Sequence, residues 1–190
     1  MDSIFHRFPH LRDIFGSDLP LCELGPGKPR QDKLSMLRRL DDATLFAGQS
    51  VTDPTMARCC YAGLWLLFDF LDESHQISQE IDAVEGSYWH GIMHRREPDY
   101  GNAKYWFRRV PRHPVFEPLA VAARGLAAQG DVDGAAEFLQ CLPNWDSMAF
   151  VDLCQQIAQG KSSSEGLARK VAQREWELLF EHCYGRAIAE

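Results

Sequence analysis

The chain has 190 residues, 45% apolar, 25% charged and 11% aromatic, which fits one domain or at most two small ones and supplies a core without staples. Twenty Lys and Arg against 27 Asp and Glu give a net charge of −7, and such an acidic surface repels a phosphate backbone, which excludes nucleic acid as a bulk partner. The longest apolar run, residues 62–68, is far below the roughly 18 residues of a transmembrane helix, so no membrane partner is expected.

The opening residues mix Asp2, His6, Arg7, Arg12 and Asp13 among apolar ones, which leaves no uninterrupted apolar stretch for a secretory leader. A cytoplasmic location is the expectation. The six cysteines form no C-x-x-C pair, and the neighbours Cys59 and Cys60 can hardly bridge each other, so all read as reduced, mostly buried thiols.

Along the chain, Pro9 falls in the first turn of a short helix carrying Leu11, Ile14 and Phe15, ended by Gly16. Residues 16–30 hold Pro20, Gly25, Pro26, Gly27 and Pro29, too many breakers for regular structure. Residues 1–30 are therefore read as an N-terminal arm, a short helix with a Gly/Pro-rich connector, and residues 31–190 as the helical domain. Leu34, Leu37 and Leu40 mark an amphipathic helix with Arg38 and Arg39 on its wet side. From a cap at Thr52 or Asp53, with Pro54 in the first turn, the stripe Cys60, Leu64, Leu67, Phe68, Leu71 predicts the longest helix, running to about Gln79.

A further helix starts at Gly86 and Ser87 and stops before Pro98, and residues 102–110 form another helix or turn before Pro111. Residues 114–129 and 132–142 read as a helical hairpin, Asp146 caps the next helix to near Gly160, and Ser162 with Glu165 has capping-box spacing for the last. No convincing strand alternation occurs. The fold class is all-α, a single-domain irregular helical bundle of about seven to nine helices.

One segment breaks the apolar pattern. The core stripe through Leu71 continues four residues on at His75, with Asp72 three residues before it, while His90, His94 and Glu97 share a stripe at i, i+4 and i+7. At about 1.5 Å of rise per residue, an antiparallel pairing across the intervening turn sets His75 level with His90 and His94, and Asp72 level with His94. Imidazoles and carboxylates at these spacings are the ligands with which bundles hold Zn, Fe or Mn. Asp72, His75, His90 and His94 are the candidate ligands of a divalent transition metal, with Glu97 or Glu73 as general base. His6, His10, His113 and His182 read as ordinary.

Residues 86–113 carry six cations and two acids, +4 within a chain of −7. Arg forks fit carboxylate or phosphate, so Arg95, Arg96, Lys104, Tyr105, Arg108 and Arg109 are candidates to bind a small anionic molecule, with Tyr88, Trp89, Tyr100 and Trp106 as walls. Gly91 and Gly101 allow close approach of a ligand or of another helix. In a purely structural arrangement the same arginines pair with Asp72, Glu73, Glu97 and Asp99 and bind nothing.

The run Trp89-His90-Gly91-Ile92-Met93-His94-Arg95-Arg96-Glu97, continued by residues 102–109, resembles a motif of a family of uncharacterised bacterial and fungal helical proteins. The resemblance implies that these segments belong together and brings no activity. The leading expectation is thus a metal-binding protein with an inward-facing pocket for a small carboxylate- or phosphate-bearing ligand, which as an enzyme would be a metal-dependent hydrolase or oxidoreductase. A metal-free anion-binding module or sensor is the second expectation. The third is a structural or partner-binding protein, homo-oligomers included, for which Trp176, Leu179 and Phe180 would form an exposed patch.

Overall fold

A computed structural model of the chain describes residues 4–16 and 19–189; residues 1–3, 17 and 18, part of the expected arm, and residue 190 lie outside the described residues. Eleven α-helices and no strand occur among the described residues, eight of the helices with seven residues or more. In order they are α1 (Ile4–Arg7), α2 (Leu11–Phe15), α3 (Gln31–Arg39), α4 (Asp42–Leu45), α5 (Pro54–Leu67), α6 (Leu71–Ser78), α7 (Val84–Arg96), α8 (Tyr100–Phe107), α9 (Phe116–Ala127), α10 (Ser147–Ala158) and α11 (Glu165–Ala187). The bundle is all-α, as the patterning requires.

Local chemistry starts several of these helices. Asp53 accepts from the Thr55 and Met56 amides ahead of Pro54, Asp99 from Asn102 and Asp146 from Ala149, each satisfying donors that a helix start leaves open. The longest element is α11, not the helix expected from Pro54 to Gln79, which is broken into α5 and α6. The break sits at Asp69, whose φ of 66° is left-handed, a conformation that Asp tolerates better than most side chains. Arg96 fixes it there: its guanidinium donates to Leu66 O at 3.0 Å and pairs with the Asp69 carboxylate. No breaker residue announces this, because the cause lies 27 residues away.

Two smaller differences have local causes. In place of a helix over 132–142 there is one 3-10 turn, Glu137–Gln140, since Asp133 captures the amides of Ala135 and Ser163 and holds the chain in a loop. The capping box does not form: Ser164 is the residue before α11, and the Ser162 hydroxyl accepts from the Ser164 amide instead.

Helix α7 is the axis of the fold. Every residue from Glu85 to Arg96 is buried, with α5, α6 and α8 packed around it. A helix buried on all sides has no wet face for its polar groups, so each of them needs a partner inside. Gly63 admits the Trp89 ring, since a Cβ there would stand 2.8 Å from it, and Trp176 donates to Gly63 O at 2.8 Å. Trp176, Leu179 and Phe180 are buried, so the patch imagined for a partner does not exist on α11.

The described part of residues 1–30 packs into the same apolar cluster through Ile4, Phe5, Leu11 and Phe15. Its connector is pinned to α11 by Arg169, which donates to Cys22 O and pairs with Glu23. No helix among the described residues is long and apolar enough to cross a membrane.

Candidate metal centre

Helices α6 and α7 bring His75, His90 and His94 together. One ring nitrogen of each lies within 4.8 Å of the others, and the ring centroids are 4.7 to 5.3 Å apart. Three atoms so spaced fit within about 2.8 Å of a common point, against the roughly 2.0–2.1 Å of a metal–imidazole bond, so an adjustment of less than about 1 Å completes shared ligation. The stripe argument that led to His75 crosses the break at Asp69, yet α6 still turns the ring toward α7.

The hydrogen bonds fix the tautomer of His94 and allow either for His90. His94 Nδ1 lies 3.1 Å from Glu97 Oε2 and donates to that carboxylate, so His94 Nε2 is a lone pair, which accepts from Asn102 Nδ2 at 3.0 Å and faces His90 Nε2 at 2.9 Å. Ser78 Oγ lies 3.3 Å from His75 O and 3.2 Å from His90 Nδ1, and its hydroxyl serves His90 as donor or as acceptor. With its proton on Nε2, His90 donates to His94; with its proton on Nδ1, the two Nε2 lone pairs face one place for a cation. Burial and the neighbouring His94 and His75 charges push the His90 pKa down to about 3, and burial lowers His94 against the pull of Glu97, so both rings are neutral near pH 7. An imidazole whose second nitrogen donates to a carboxylate or hydroxyl is held in the ligating tautomer.

A second group, Glu85 with His113 and His182, has the opposite polarity. His113 Nδ1 accepts from the Val115 amide at 3.2 Å, which leaves its proton on the Nε2 that faces Glu85 at 3.8 Å. His182 Nε2 and Arg186 lie 3.0 and 3.1 Å from the same Glu85 oxygen. His113 and His182 hold the Glu85 carboxyl well below its usual range. Here donors surround one carboxylate and bind α7 to α11, and the guanidinium already occupies the place of a metal. His113, expected to be ordinary and near the surface, is in fact buried, because its loop tucks between α7 and α11.

The remaining candidates are dispersed. Asp72 is exposed and stands outside the trio of imidazoles, and Glu73 is half-buried on the same short helix. Glu97 is tied to His94, so it orients that ring rather than standing free as a base. Arg95 points into the core to Glu175, Arg96 locks the α5–α6 break and Lys104 pairs with Asp152 on α10. Tyr105 is half exposed, and Arg108 is exposed. Only Arg109 remains near the imidazoles, lying 4.9 Å over the Trp106 ring, which in turn stacks 4.1 Å from His90. Gly91 serves helix approach, since a Cβ there would meet the Phe107 ring at 3.0 Å.

Ser78 and Asn102 are site residues that the spacing argument passed over. Asn102 Nδ2 lies 3.0 Å from His94 Nε2. Its signal was present: Asn102, Trp106 and Arg109 repeat the i, i+4, i+7 spacing of His90, His94 and Glu97. Comparison of the chain with protein-family models, with curated proteins and with solved structures finds no match.

Proposed function

We propose that the chain binds a divalent transition metal, Zn, Fe or Mn, through His75, His90 and His94 and presents it to a small carboxylate- or phosphate-bearing molecule that Arg109 attracts. The observation that carries this reading is the gathering of three imidazoles, His90 and His94 buried and His75 half-buried, with ring nitrogens within 4.8 Å of one another and two of them facing at 2.9 Å. Three imidazoles leave coordination positions open, which is the condition for a metal to polarise a bound oxygen or activate water. Glu97 and Ser78 hold the rings, Trp106 closes one side, and Arg109, 46% exposed, waits at the rim. The reaction class that follows is metal-dependent hydrolysis or oxidation of a small anion.

Metal analysis of full-length protein purified without an affinity tag tests the reading. About one first-row ion per chain is expected, falling to background in His90→Ala and His75→Ala while the helical circular dichroism persists. A wild-type chain with no stoichiometric metal, which also takes none up on dialysis, sinks it. In that event thermal stabilisation by phosphate alone would favour the metal-free sensor.

A further inference from the structure

We propose that the cleft where the end of α8 meets the start of α10 binds a small apolar carboxylic acid, at a site separate from the imidazole centre and independent of it. None of His75, His90, His94, Trp106 and Arg109 borders this cleft. It holds about 440 Å³, within the roughly 300–1,000 Å³ of small-molecule sites, and the buried residues Phe107, Val110, Phe116 and Leu142 give it an apolar wall. Arg124 on α9 donates to Leu142 O and so ties the loop before α10 to the scaffold.

Two polar groups on the residues of that wall lack partners. Trp145 Nε1 and Ser147 Oγ are shut off from solvent, on residues only 5% and 8% exposed, and neither has a hydrogen bond within the protein. Trp89 and Arg95 leave such atoms in the close-packed core, whereas these two belong to residues that border open space. A buried indole N–H ordinarily finds an acceptor and a hydroxyl can donate to one, so an occupant rich in acceptors supplies what the protein does not. Arg108 sets the charge of that occupant, being an exposed cation of the same cleft with no ion pair among the described residues. The acid that lines the cleft, Asp146, is engaged as the cap of α10 and accepts from the Ala149 amide at 2.9 Å. A carboxylate is acceptor-only and fits the guanidinium fork, while an aromatic or branched body fits the apolar wall.

Phenylacetate and the full-length protein test this by thermal shift and titration calorimetry. Phenylacetate should raise Tm saturably, while acetate, without the apolar body, and 2-phenylethanol, without the charge, should each bind at least about tenfold more weakly. Arg108→Gln, a change at an exposed position, should lose about tenfold in affinity or more. Ser147→Ala should lose about threefold with the unliganded Tm unchanged or raised, because an unpartnered hydroxyl stabilises nothing. His90→Ala should bind phenylacetate as wild type does. No shift at about 10 mM phenylacetate, wild-type affinity in Arg108→Gln, or a lowered Tm with unchanged affinity in Ser147→Ala overturns the proposal. Loss of binding in His90→Ala overturns it too, by putting the carboxylate at the imidazole centre.

Discussion

Arg95 reaches from α7 to Glu175 on α11 with Nη2 2.5 Å from Oε2, and neither side chain is more than 1% exposed. His94, the preceding residue, lies about 100° around the helix from it and projects into the imidazole trio, so this ion pair fixes the rotation of α7 about its axis and with it the aim of His90 and His94. Tyr88 adds a hydrogen bond to the same carboxylate at 3.2 Å, and the Phe150 ring lies 4.6 Å from the guanidinium.

A buried pair of this kind is costly to break and much less costly to replace. Arg95→Met leaves the Glu175 charge alone in the core and should lower unfolding free energy by about 3–5 kcal/mol, as should Glu175→Leu. The double variant should cost clearly less than the sum of the two. Urea unfolding of the four proteins measures the coupling, and simple additivity would show that the two charges do not support each other.

Gly91 and Gly101 separate two roles that one residue type plays in the sequence. A Cβ on Gly91 meets the buried Phe107 ring at 3.0 Å, between the helices that carry His90, His94 and Asn102, whereas a Cβ on Gly101 has no atom nearer than Asp99 at 3.8 Å. Gly91→Ala should therefore cost about 1–3 kcal/mol and weaken metal uptake by prying α7 from α8. Gly101→Ala, exposed and helical, should be neutral or stabilising by up to about 1 kcal/mol. Equal effects in thermal unfolding would contradict the packing described.

Much of this architecture was legible because it is local. Periodicity gave α3, caps and breakers marked α7, α9, α10 and α11, and the imidazole spacing on α7 placed His90 and His94 on one stripe. What stayed hidden depends on distant partners. Nothing near Asp69 predicts a helix break that Arg96 enforces, and nothing near Arg95 names Glu175, 80 residues on. Five arginines and a lysine in one basic stretch look alike in sequence. Burial sorts them, and sends Arg95 and Arg96 inward while Arg109 stays at the rim.

Acid should weaken the metal-free protein through His90. Its pKa is about 3 when folded, against about 6.5 for an unfolded histidine, so below pH 6.5 the unfolded chain binds a proton that the folded chain refuses. Stability from this residue is complete above pH 6.5 and declines as pH falls toward 3. Between pH 7 and pH 5 the loss should be about 2 kcal/mol. His90→Gln has no such proton, and contributions from Glu85 and other acids are common to both proteins and cancel in the difference. Urea unfolding at the two pH values should show a wild-type advantage that shrinks by that amount, and a difference that does not change with pH would mean that His90 is not held neutral by burial.

On the proposed function Arg109 is the cation that an incoming anion meets beside the imidazoles, and its acid partner among the described residues, Asp82 at 3.9 Å, is fully exposed and easily displaced. A charge-assisted contact of about 1.5–3 kcal/mol corresponds to roughly ten- to hundredfold in affinity. Arg109→Gln in metal-loaded protein should therefore lose that much affinity for phosphate or oxalate, read by thermal shift, with metal content unchanged. Lys104→Gln, whose lysine is engaged by Asp152, should bind both anions as wild type does. Should Arg109→Gln retain wild-type affinity, the guanidinium is a solvated surface charge, and the anion, if one binds, is held by the metal alone.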